Sequence, residues 1–429
     1  MGHNLEVNAK PVAGIRWLIP PILAITVFVN FLTRNSLALA LPQIAQDFGW
    51  SNRELGSNGE LLLGIFFISY SLANMALSPM AERFGPKRSL LIAMAVFCSL
   101  TIFCAPLGTS LLALIILRLL LGLSQGIHIP MMSVFISRWF PLEERSRANG
   151  IWSMGLMLAV SIAPLIVVPL SNALGWRLAF AIIGGAGLFI AMPLMGILVQ
   201  DHPHQNPSIA PDELAYIRSH SVVSSTKEPS QKSGLTGSQP FIKDRRFWIA
   251  TLGGSLNNFC SFGILSWLPV YLNRAKGIDF DALGWPLAIV FAVGIVGIMV
   301  MAVVGDLIQK RTLLAAIGFL IAGPVLYLAT TTQQIGLLVA LFATAVFCQS
   351  AYLAQEYALI QRLLPISQIG VGTGIYNGLA VLFGGVGGSF IPGSIVAATG
   401  SLDLGMLSVV VGSWLASFVM FILARLAKY

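Results

Sequence analysis

Charged residues are scarce in this chain. Only 10% of its 429 residues are Asp, Glu, Lys or Arg, whereas 56% are hydrophobic, and the mean hydropathy is +0.83. A soluble globular protein carries about 25% charged residues. Because this composition cannot cover a water-exposed surface, it excludes a soluble protein and predicts an integral membrane protein with many spans.

Cysteine is also rare, and no cysteine lies in a CxxC or histidine-paired spacing. The cysteines therefore predict small buried side chains, and we expect neither a metal nor a cofactor. The polar N-terminus has no cleavable signal, and Glu6 stands where a myristoylation pattern needs Ser or Thr. H-E-x-x-H, G-x-S-x-G and P-loop patterns are missing, which argues against an enzyme. The four cysteines are Cys98, Cys104, Cys260 and Cys348.

Apolar runs long enough to cross a bilayer as helices occur twelve times. The polar segment 201–245, rich in Pro, Ser, Gln and charge, separates the sixth run from the seventh. The sequence thus predicts an all-α integral membrane fold with an N-terminal six-helix bundle (1–200), a cytoplasmic linker (201–245) and a C-terminal six-helix bundle (246–429). The runs lie near residues 17–41, 56–79, 88–107, 110–138, 149–173, 177–200, 246–272, 282–305, 312–331, 335–363, 369–398 and 404–426.

Basic residues are unequally divided between the two sides of these spans. With the N-terminus inside, the inner loops and termini hold 19 Lys and Arg, against four in the outer loops. This excess predicts a bacterial inner-membrane protein with both termini in the cytoplasm. It also accounts for the net charge of +8, so the bilayer is the expected partner and nucleic acid is not.

The two halves resemble each other at a constant offset of 224 residues. Three matches in one register indicate two parallel six-helix repeats, the architecture of the major facilitator class, with a central site near the bilayer midplane. The matches are Glu82 with Asp306, "RWFP" (138–141) with "RLLP" (362–365), and "NGIW" (149–152) with "TGIY" (373–376). In this register Arg34 aligns with Asn258, Gln125 with Gln349, and His128 with Tyr352.

Arg34 is the only charged residue between Trp17 and Leu41. A charge at such depth costs ~3 kcal/mol or more, so a functional role is expected. Its planar fork of donors suits a carboxylate, and an anion in a dehydrated cavity would compensate its charge. The alternative is an internally paired arginine, but no acid lies within one helical turn.

Two further patterns indicate conformational roles. "SPMAERFGPKRS" (78–89) resembles the facilitator loop signature G-x-x-x-D-R-x-G-R-[KR], in which an acid, a glycine turn and a basic pair can clamp two bundles together; a plain basic loop is the alternative. "RLLLGLSQG" (118–126) resembles the R-x-x-x-G signature of the fourth span, which favours a structural role for its arginine. The predicted gating residues are Glu82, Arg83, Gly85, Lys87, Arg88, Arg118, Arg138, Asp306, Lys310 and Arg311.

Four segments resemble the anion:cation symporter family, which includes hexonate, hexuronate and aromatic-acid permeases. In that family the first-span arginine, here Arg34, pairs with the substrate carboxylate, and the resemblance implies further contacts at Tyr70 and Asn377. Tyr70 could equally be a packed core residue. The segments are "VNFLTRNSLALALPQIAQDFGWS" (29–51), "GLSQGIHIPMMSVFISRWFPLEERSRANG" (122–150), "SWLPVYL" (266–272) and "GTGIYNGLAVLFGGVGG" (372–388).

The chain departs from this family where protons are usually carried. Thr33 and Gln125 replace the coupling acids, and Phe31 replaces a tyrosine. Three alternatives remain open. His128 could carry a proton or donate a neutral hydrogen bond to the substrate. Glu356, the only acid well inside a predicted span, could relay protons or form an inner-end salt bridge with Arg362. The third alternative is transport without a proton.

The sequence thus predicts a monomeric secondary transporter that imports a small organic anion, such as a sugar acid or an aromatic acid, by alternating access with a proton as the coupling ion. A uniporter or exchanger, or an importer of a larger carboxylate such as a siderophore, is the alternative. The proton-coupling candidates are His128 and Glu356. The predicted substrate-binding residues are Arg34, Tyr70, Gln125, His128, Asn258, Gln349, Tyr352, Tyr376 and Asn377.

Overall fold

The described part of the chain is helical and contains no strand; in this computed structural model it comprises residues 14–217, 241–308, 310–364 and 369–427. Short 3₁₀ and π turns extend several helices. The helices are α1 (Ile19–Asp47), α2 (Asn52–Phe84), α3 (Pro86–Leu107), α4 (Leu111–Gln125), α5 (His128–Trp139), α6 (Leu142–Ala186), α7 (Met192–Leu198), α8 (211–217), α9 (Arg245–Val270), α10 (Gly284–Ile308), α11 (Arg311–Thr331), α12 (Ile335–Leu353), α13 (Glu356–Leu363), α14 (Ile369–Thr399) and α15 (Leu402–Ala427).

Ten helical stretches in the described residues are long and apolar enough to cross a membrane. One of them, Arg147–Leu198, is 52 residues long and turns sharply at Gly175, whose φ of 77° is left-handed; it therefore provides two spans. Helix α9 is not among the ten, since Asn257 and Asn258 interrupt its apolar sequence, but its 26 residues measure about 39 Å. The predicted twelve-helix membrane fold is confirmed.

The helices before and after the linker pack in the same order. Helix α1 packs along α6, α2 along α4, and α3 along α4 and α6; α9 packs along α14, α10 along α12, and α11 along α12 and α15. The two sets meet where α2 contacts α14, α1 contacts α9 and α6 contacts α10. We call this boundary the seam.

The helix ends define two faces of the molecule. On one, the backbone N–H of Lys87 donates to Asp201 Oδ1 at 2.7 Å; on the other, Arg177 Nη1 lies 2.6 Å from Asp47 Oδ2. We call the first the linker face, formed by residues 14–18, 84–86, 139–142 and 199–217. We call the second the distal face, formed by residues 48–51, 108–110, 276–279 and 400–401.

The seam between α2 and α14 is tight near the distal face and loosens toward the linker face. Gly56 lies against the α14 backbone and Gly64 against the ring of Phe390, so a Cβ at either position would overlap α14. Nearer the linker face, a Cβ at Gly378 would meet α2 at an ordinary 3.6 Å, and one at Gly374 would meet no atom within 4 Å. Helices α2 and α14 are therefore in close contact near the distal face and less tightly packed toward the linker face.

Candidate functional site

Arg34 lies in the middle of α1 with 6% of its surface exposed. Its guanidinium is surrounded by five aromatic rings, which we call the arginine cage. The contact of an arginine with the face of an aromatic ring is stabilising by roughly 0.5–2 kcal/mol. Phe262 comes from α9, so the cage closes across the seam. The distances from Cζ to the ring centroids are 5.1 Å for Phe31, 4.7 Å for Phe66, 4.9 Å for Phe67, 4.9 Å for Tyr70 and 5.4 Å for Phe262.

Three buried side-chain donors of this region lack a hydrogen-bond acceptor among the described residues. Arg34 belongs to none of the ion pairs found among the described residues, and its Nη2 has no hydrogen-bond partner there. The amide nitrogens of Asn30 and Asn35, within four residues on α1, also lack acceptors. A buried charge without a partner costs several kcal/mol. The arrangement therefore suits an anion.

A second buried arginine, Arg118 of α4, supports the cage from behind. Its Nε donates to Leu62 O and its Nη1 to Arg34 O, both at 3.2 Å, and its Cζ lies 4.9 Å from the Phe66 centroid. These contacts tie α4 to the backbone of α1 and α2. Arg118 positions the cage helices and adds a positive charge behind Arg34.

Gln125 and His128, predicted as substrate contacts, are fully buried between α1 and the fourth span. The Gln125 amide donates to Asn30 O at 3.2 Å and to Thr33 Oγ1 at 3.0 Å. His128 Nε2 lies 3.3 Å from Thr26 Oγ1. Thus Thr33 and Gln125, the uncharged residues that replace the usual coupling acids, bond to each other, and in this conformation Gln125 and His128 both contact α1.

The aligned positions of the second half are also buried. Gln349 Nε2 donates to Ser413 Oγ at 3.3 Å. The hydroxyls of Tyr352 and Tyr376 lie 2.7 Å apart, and the Tyr376 hydroxyl donates to Glu356 Oε1 at 2.7 Å. Glu356 is thus bound by a tyrosine, where the sequence favoured a salt bridge with Arg362. We call Tyr352, Tyr376 and Glu356 the tyrosine–glutamate cluster.

Two predicted contacts, Asn258 and Asn377, are half-buried. Asn258 lies one turn before Phe262 on α9, and the Asn258 Cβ packs against Gly384 of α14. Asn377 follows Tyr376 on α14. Of the predicted substrate contacts, the structure therefore places Tyr70 in the cage and Asn258 one helical turn from it, whereas Asn377 is next to the tyrosine–glutamate cluster.

The predicted gating loop docks within the first half of the chain. Gly85 has a φ of 107°, which favours glycine, and ends α2 beside Asp201. The Lys87 side chain donates to Gln200 Oε1 at 2.9 Å. Of the other predicted gating residues, Glu82, Arg83, Arg88 and Lys310 are exposed and Arg138 and Arg311 are half-buried, whereas the side chain of Asp306 lies outside the described residues.

The sequence did not reveal a buried ionic cluster on the linker face. Arg16 is fully buried and contacts Glu144 at the start of α6 and Glu213 of α8, with N–O distances of 3.0 Å to each. The Tyr216 hydroxyl donates to Glu144 Oε1 at 3.3 Å. We call Arg16, Glu144 and Glu213 the linker clamp; it holds α8 against the first half. The Phe66, Phe67 and Phe262 rings were also missed, although Phe66 and Tyr70 are spaced by one helical turn.

The predicted burial of the cysteines is confirmed, since all four are buried free thiols. Within the described residues, no three His, Cys, Asp or Glu side chains come close enough to hold a metal ion. The site is therefore built from an arginine, aromatic rings and amides.

The sequence matches the Major Facilitator Superfamily over residues 23–389. It is 27% identical to a probable sulfoacetate transporter of Cupriavidus necator, covering 91% of this chain and 89% of that protein. It is 26% identical to a D-galactonate transporter of Escherichia coli O6:H1, covering 91% and 90%, and 26% identical to a hexuronate transporter of Bacillus subtilis, covering 87% and 86%.

Solved structures share the fold. A bacterial homologue of the human lysosomal transporter Spinster, inward-facing and unoccupied, has a TM-score of 0.79 at 19% identity, covering 97% of this chain and 98% of that one. A D-xylose–proton symporter has a TM-score of 0.69 at 15% identity, covering 94% and 96%. The relatives are described as transporters. The chain belongs to the Major Facilitator Superfamily.

Proposed function

We propose that this protein imports a small organic anion across a bacterial inner membrane, and that Arg34 binds the anionic group. Residues 1–200 and 246–429 form the two bundles that move, and residues 201–245 link them on the cytoplasmic side. The linker face is the cytoplasmic face in this proposal, since the helix ends that adjoin it carry the basic excess. The protein works as a monomer, because one chain contains the whole seam.

One observation carries this proposal. Arg34 is buried at the seam, and its Nη2 has no hydrogen-bond partner among the described residues. It also forms no ion pair with any described acid. A guanidinium in this setting gains most from an anion that accepts two parallel hydrogen bonds. The relatives named above carry sulfoacetate, galactonate or hexuronate, which are all organic anions.

The cage also bears on the body of the substrate. Five aromatic rings surround Arg34. The half-buried amide of Asn258 lies one helical turn before Phe262 on α9. A polyhydroxylated sugar acid needs many hydrogen-bonding partners, whereas these rings provide few. We therefore place a carboxylate with a planar or apolar body, such as an aromatic acid, ahead of a sugar acid.

A proton is the proposed coupling ion. Thr33 and Gln125 cannot carry it, because neither side chain titrates and the two bond to each other. His128 is fully buried against Thr26 and Phe97, so it has no open route to the seam in this conformation. Of the two predicted coupling candidates, this leaves Glu356 of the second half.

A thermal-shift screen of purified full-length protein tests the proposal. Benzoate, galactonate and sulfoacetate are compared on wild type, Arg34→Ala and Arg34→Lys. At least one acid should raise the unfolding temperature of wild type, with benzoate giving the larger shift. Arg34→Ala should abolish the shift, and Arg34→Lys should retain only part of it, because the ammonium keeps the charge but loses the two-donor fork.

Arg53→Ala is the matched control, because Arg53 is an exposed arginine at the distal end of α2. It should leave the shift unchanged. An equal shift for wild type and Arg34→Ala would show that the anion binds elsewhere. A larger shift with galactonate than with benzoate would contradict the proposed substrate body while leaving anion binding intact.

A further inference from the structure

A buried acid with tyrosine partners lies in the second half, away from the arginine cage. Glu356 begins α13, directly after the break in the tenth span at residues 354–355. Its Oε1 accepts from the Tyr376 hydroxyl at 2.7 Å, and that hydroxyl lies 2.7 Å from the Tyr352 hydroxyl. Three oxygens are thus linked in a row from α13 through α14 to α12.

The donors and acceptors in this row of hydrogen bonds can exchange roles. When Glu356 is ionised, its carboxylate can only accept, so Tyr376 donates to it and Tyr352 can donate to Tyr376. When Glu356 takes up one proton, its O–H can donate to the Tyr376 oxygen, and Tyr376 then donates to Tyr352. Both states keep two hydrogen bonds, so the cluster accommodates a proton without leaving a buried polar group unpaired.

No basic side chain neutralises Glu356 among the described contacts. Helices α9 and α14 pack against α13, and Gly254 of α9 faces the Tyr376 hydroxyl. None of the ion pairs found among the described residues includes Glu356. The titratable side chain of α14 is Tyr376. On α9, Arg245 is exposed, Arg246 pairs with Asp244, and Cys260 lies against α15. On α13, the other titratable residues are Tyr357 and Arg362, and Arg362 is exposed.

One face of α9 joins this cluster to the proposed anion site. Gly254, Asn258 and Phe262 are spaced by four residues and so lie along one side of the helix. Gly254 contacts Tyr376 and Phe262 contacts Arg34. The cluster and the cage are therefore about 12 Å apart along α9, and Asn377 follows Tyr376 directly on α14. A change in the cluster can reach the substrate through these helices.

We propose that Glu356 is the proton-carrying group of this transporter and that Tyr376 and Tyr352 are the hydroxyls that stabilise both of its protonation states. This inference rests on the proposed anion transport. Each cycle moves one anionic charge at Arg34 and one proton at Glu356 in the same direction. For a singly charged acid the two charges cancel, so a pH gradient drives uptake.

Transport in proteoliposomes tests the inference with the full chain. Labelled benzoate, galactonate and sulfoacetate are each measured in two modes, exchange without a gradient and accumulation under an inward proton gradient. Wild type should do both. Glu356→Gln, which imitates the protonated acid, should keep exchange but lose accumulation. Asp281→Asn, a change of an exposed acid near the distal face, is the matched control and should keep both.

The outcomes separate the two proposals. Accumulation by Glu356→Gln at the wild-type ratio overturns the role of Glu356, and so does a wild type that exchanges an acid without accumulating it. Failure of wild type to exchange any of the three acids counts against the proposed function instead.

An infrared pH titration of the purified protein needs no substrate. In the wild-type minus Glu356→Gln difference spectrum, in which the other Asp and Glu carboxyl groups of the chain cancel, a carboxylic-acid C=O band should titrate. Tyr376→Phe should shift this band, because the hydroxyl partner is removed while the ring remains. A titrating band of equal size in wild type and Glu356→Gln would overturn the inference even if no transported acid had been found.

Discussion

The two halves of this protein share one packing scheme but differ in the sign of the charges that they bury inside their membrane spans. The first half buries two guanidinium groups in its spans, and the second half buries a carboxyl group bound by tyrosines. At each charged position the aligned residue of the other half is uncharged. The aligned pairs are Arg34 with Asn258, Arg118 with Phe342, and Met132 with Glu356.

This difference indicates that the two repeats share a backbone arrangement but carry different functional side chains. A charge inside a membrane span is costly, so it is kept where it has a use. If the arginine and the glutamate lay in one half at contact distance, they would form an internal ion pair, and neither would be open to an anion or a proton. Their separation along α9 keeps both available.

The sharpest way to break this comparison is to move the arginine across the seam. Arg34→Asn should weaken anion binding by roughly 100-fold or more, or about 2.7 kcal/mol, measured by calorimetry with the acid that gives the largest thermal shift. The double variant Arg34→Asn/Asn258→Arg should not restore binding, because four of the five cage rings belong to α1 and α2. Asn258→Ala is the control, because it removes the asparagine at this position without adding an arginine. Wild-type affinity in the double variant would show that the halves are interchangeable.

The comparison extends to the linker, whose helix α8 is tied to the first half through the linker clamp. Arg16→Ala should destabilise the protein by about 3–5 kcal/mol, because Glu144 and Glu213 remain buried without their partner. Thermal unfolding measures the loss, and faster proteolysis near residues 211–217 should accompany it.

An exposed ion pair on the distal face provides the matched control for the clamp. Arg177 and Asp47 have 36% and 43% of their side-chain surface exposed, so Arg177→Ala should cost only about 0–1 kcal/mol. Equal losses for Arg16→Ala and Arg177→Ala would mean that the buried cluster does not hold α8.

Much of this architecture could be predicted from the sequence, since it follows from hydropathy and repetition. Twelve apolar runs and the 224-residue offset are visible without coordinates, and Arg34 is conspicuous because it is alone in an apolar run. The break within the tenth span was not visible, because residues 354–355 interrupt the helix without a proline or a glycine.

The partners of individual side chains were harder to predict, because they depend on tertiary packing. Glu356 lies six residues before Arg362 and suggested a local salt bridge, but its partner is Tyr376 on another helix. Arg16 was counted only as one of the basic residues of the inner loops and termini, but it is fully buried and pairs with Glu213, almost 200 residues away. Phe262 joins the cage from the opposite half, and no local pattern indicates that contact.

Placing an acid in the first half tests the comparison from the other side. Met132 aligns with Glu356 and is fully buried, but the positions that align with Tyr352 and Tyr376 hold His128 and Trp152. Met132→Glu should therefore lower stability by about 2.5–3.5 kcal/mol, measured by thermal unfolding of the detergent-solubilised protein. Met132→Leu is the control and should cost less than about 1.5 kcal/mol. A well-folded Met132→Glu variant with wild-type stability would mean that the tyrosines are not needed to bury the acid.

The smallest predicted effect concerns the one cage ring that the second half contributes. Phe262→Leu keeps an apolar side chain but removes the ring that lies 5.4 Å from Arg34 and packs 4.5 Å from the Phe67 ring. Losing one of the five arginine–aromatic contacts should cost about 0.5–1 kcal/mol, because four rings still surround the guanidinium. This is two- to fivefold in affinity at about 1.4 kcal/mol per decade. Phe31→Leu, which removes a ring from the arginine's own helix, is the matched comparison. If the loss in Phe262→Leu appears only in transport rate and not in equilibrium binding, the ring acts in closing the seam, since α9 must part from α1 and α2 when the distal face opens.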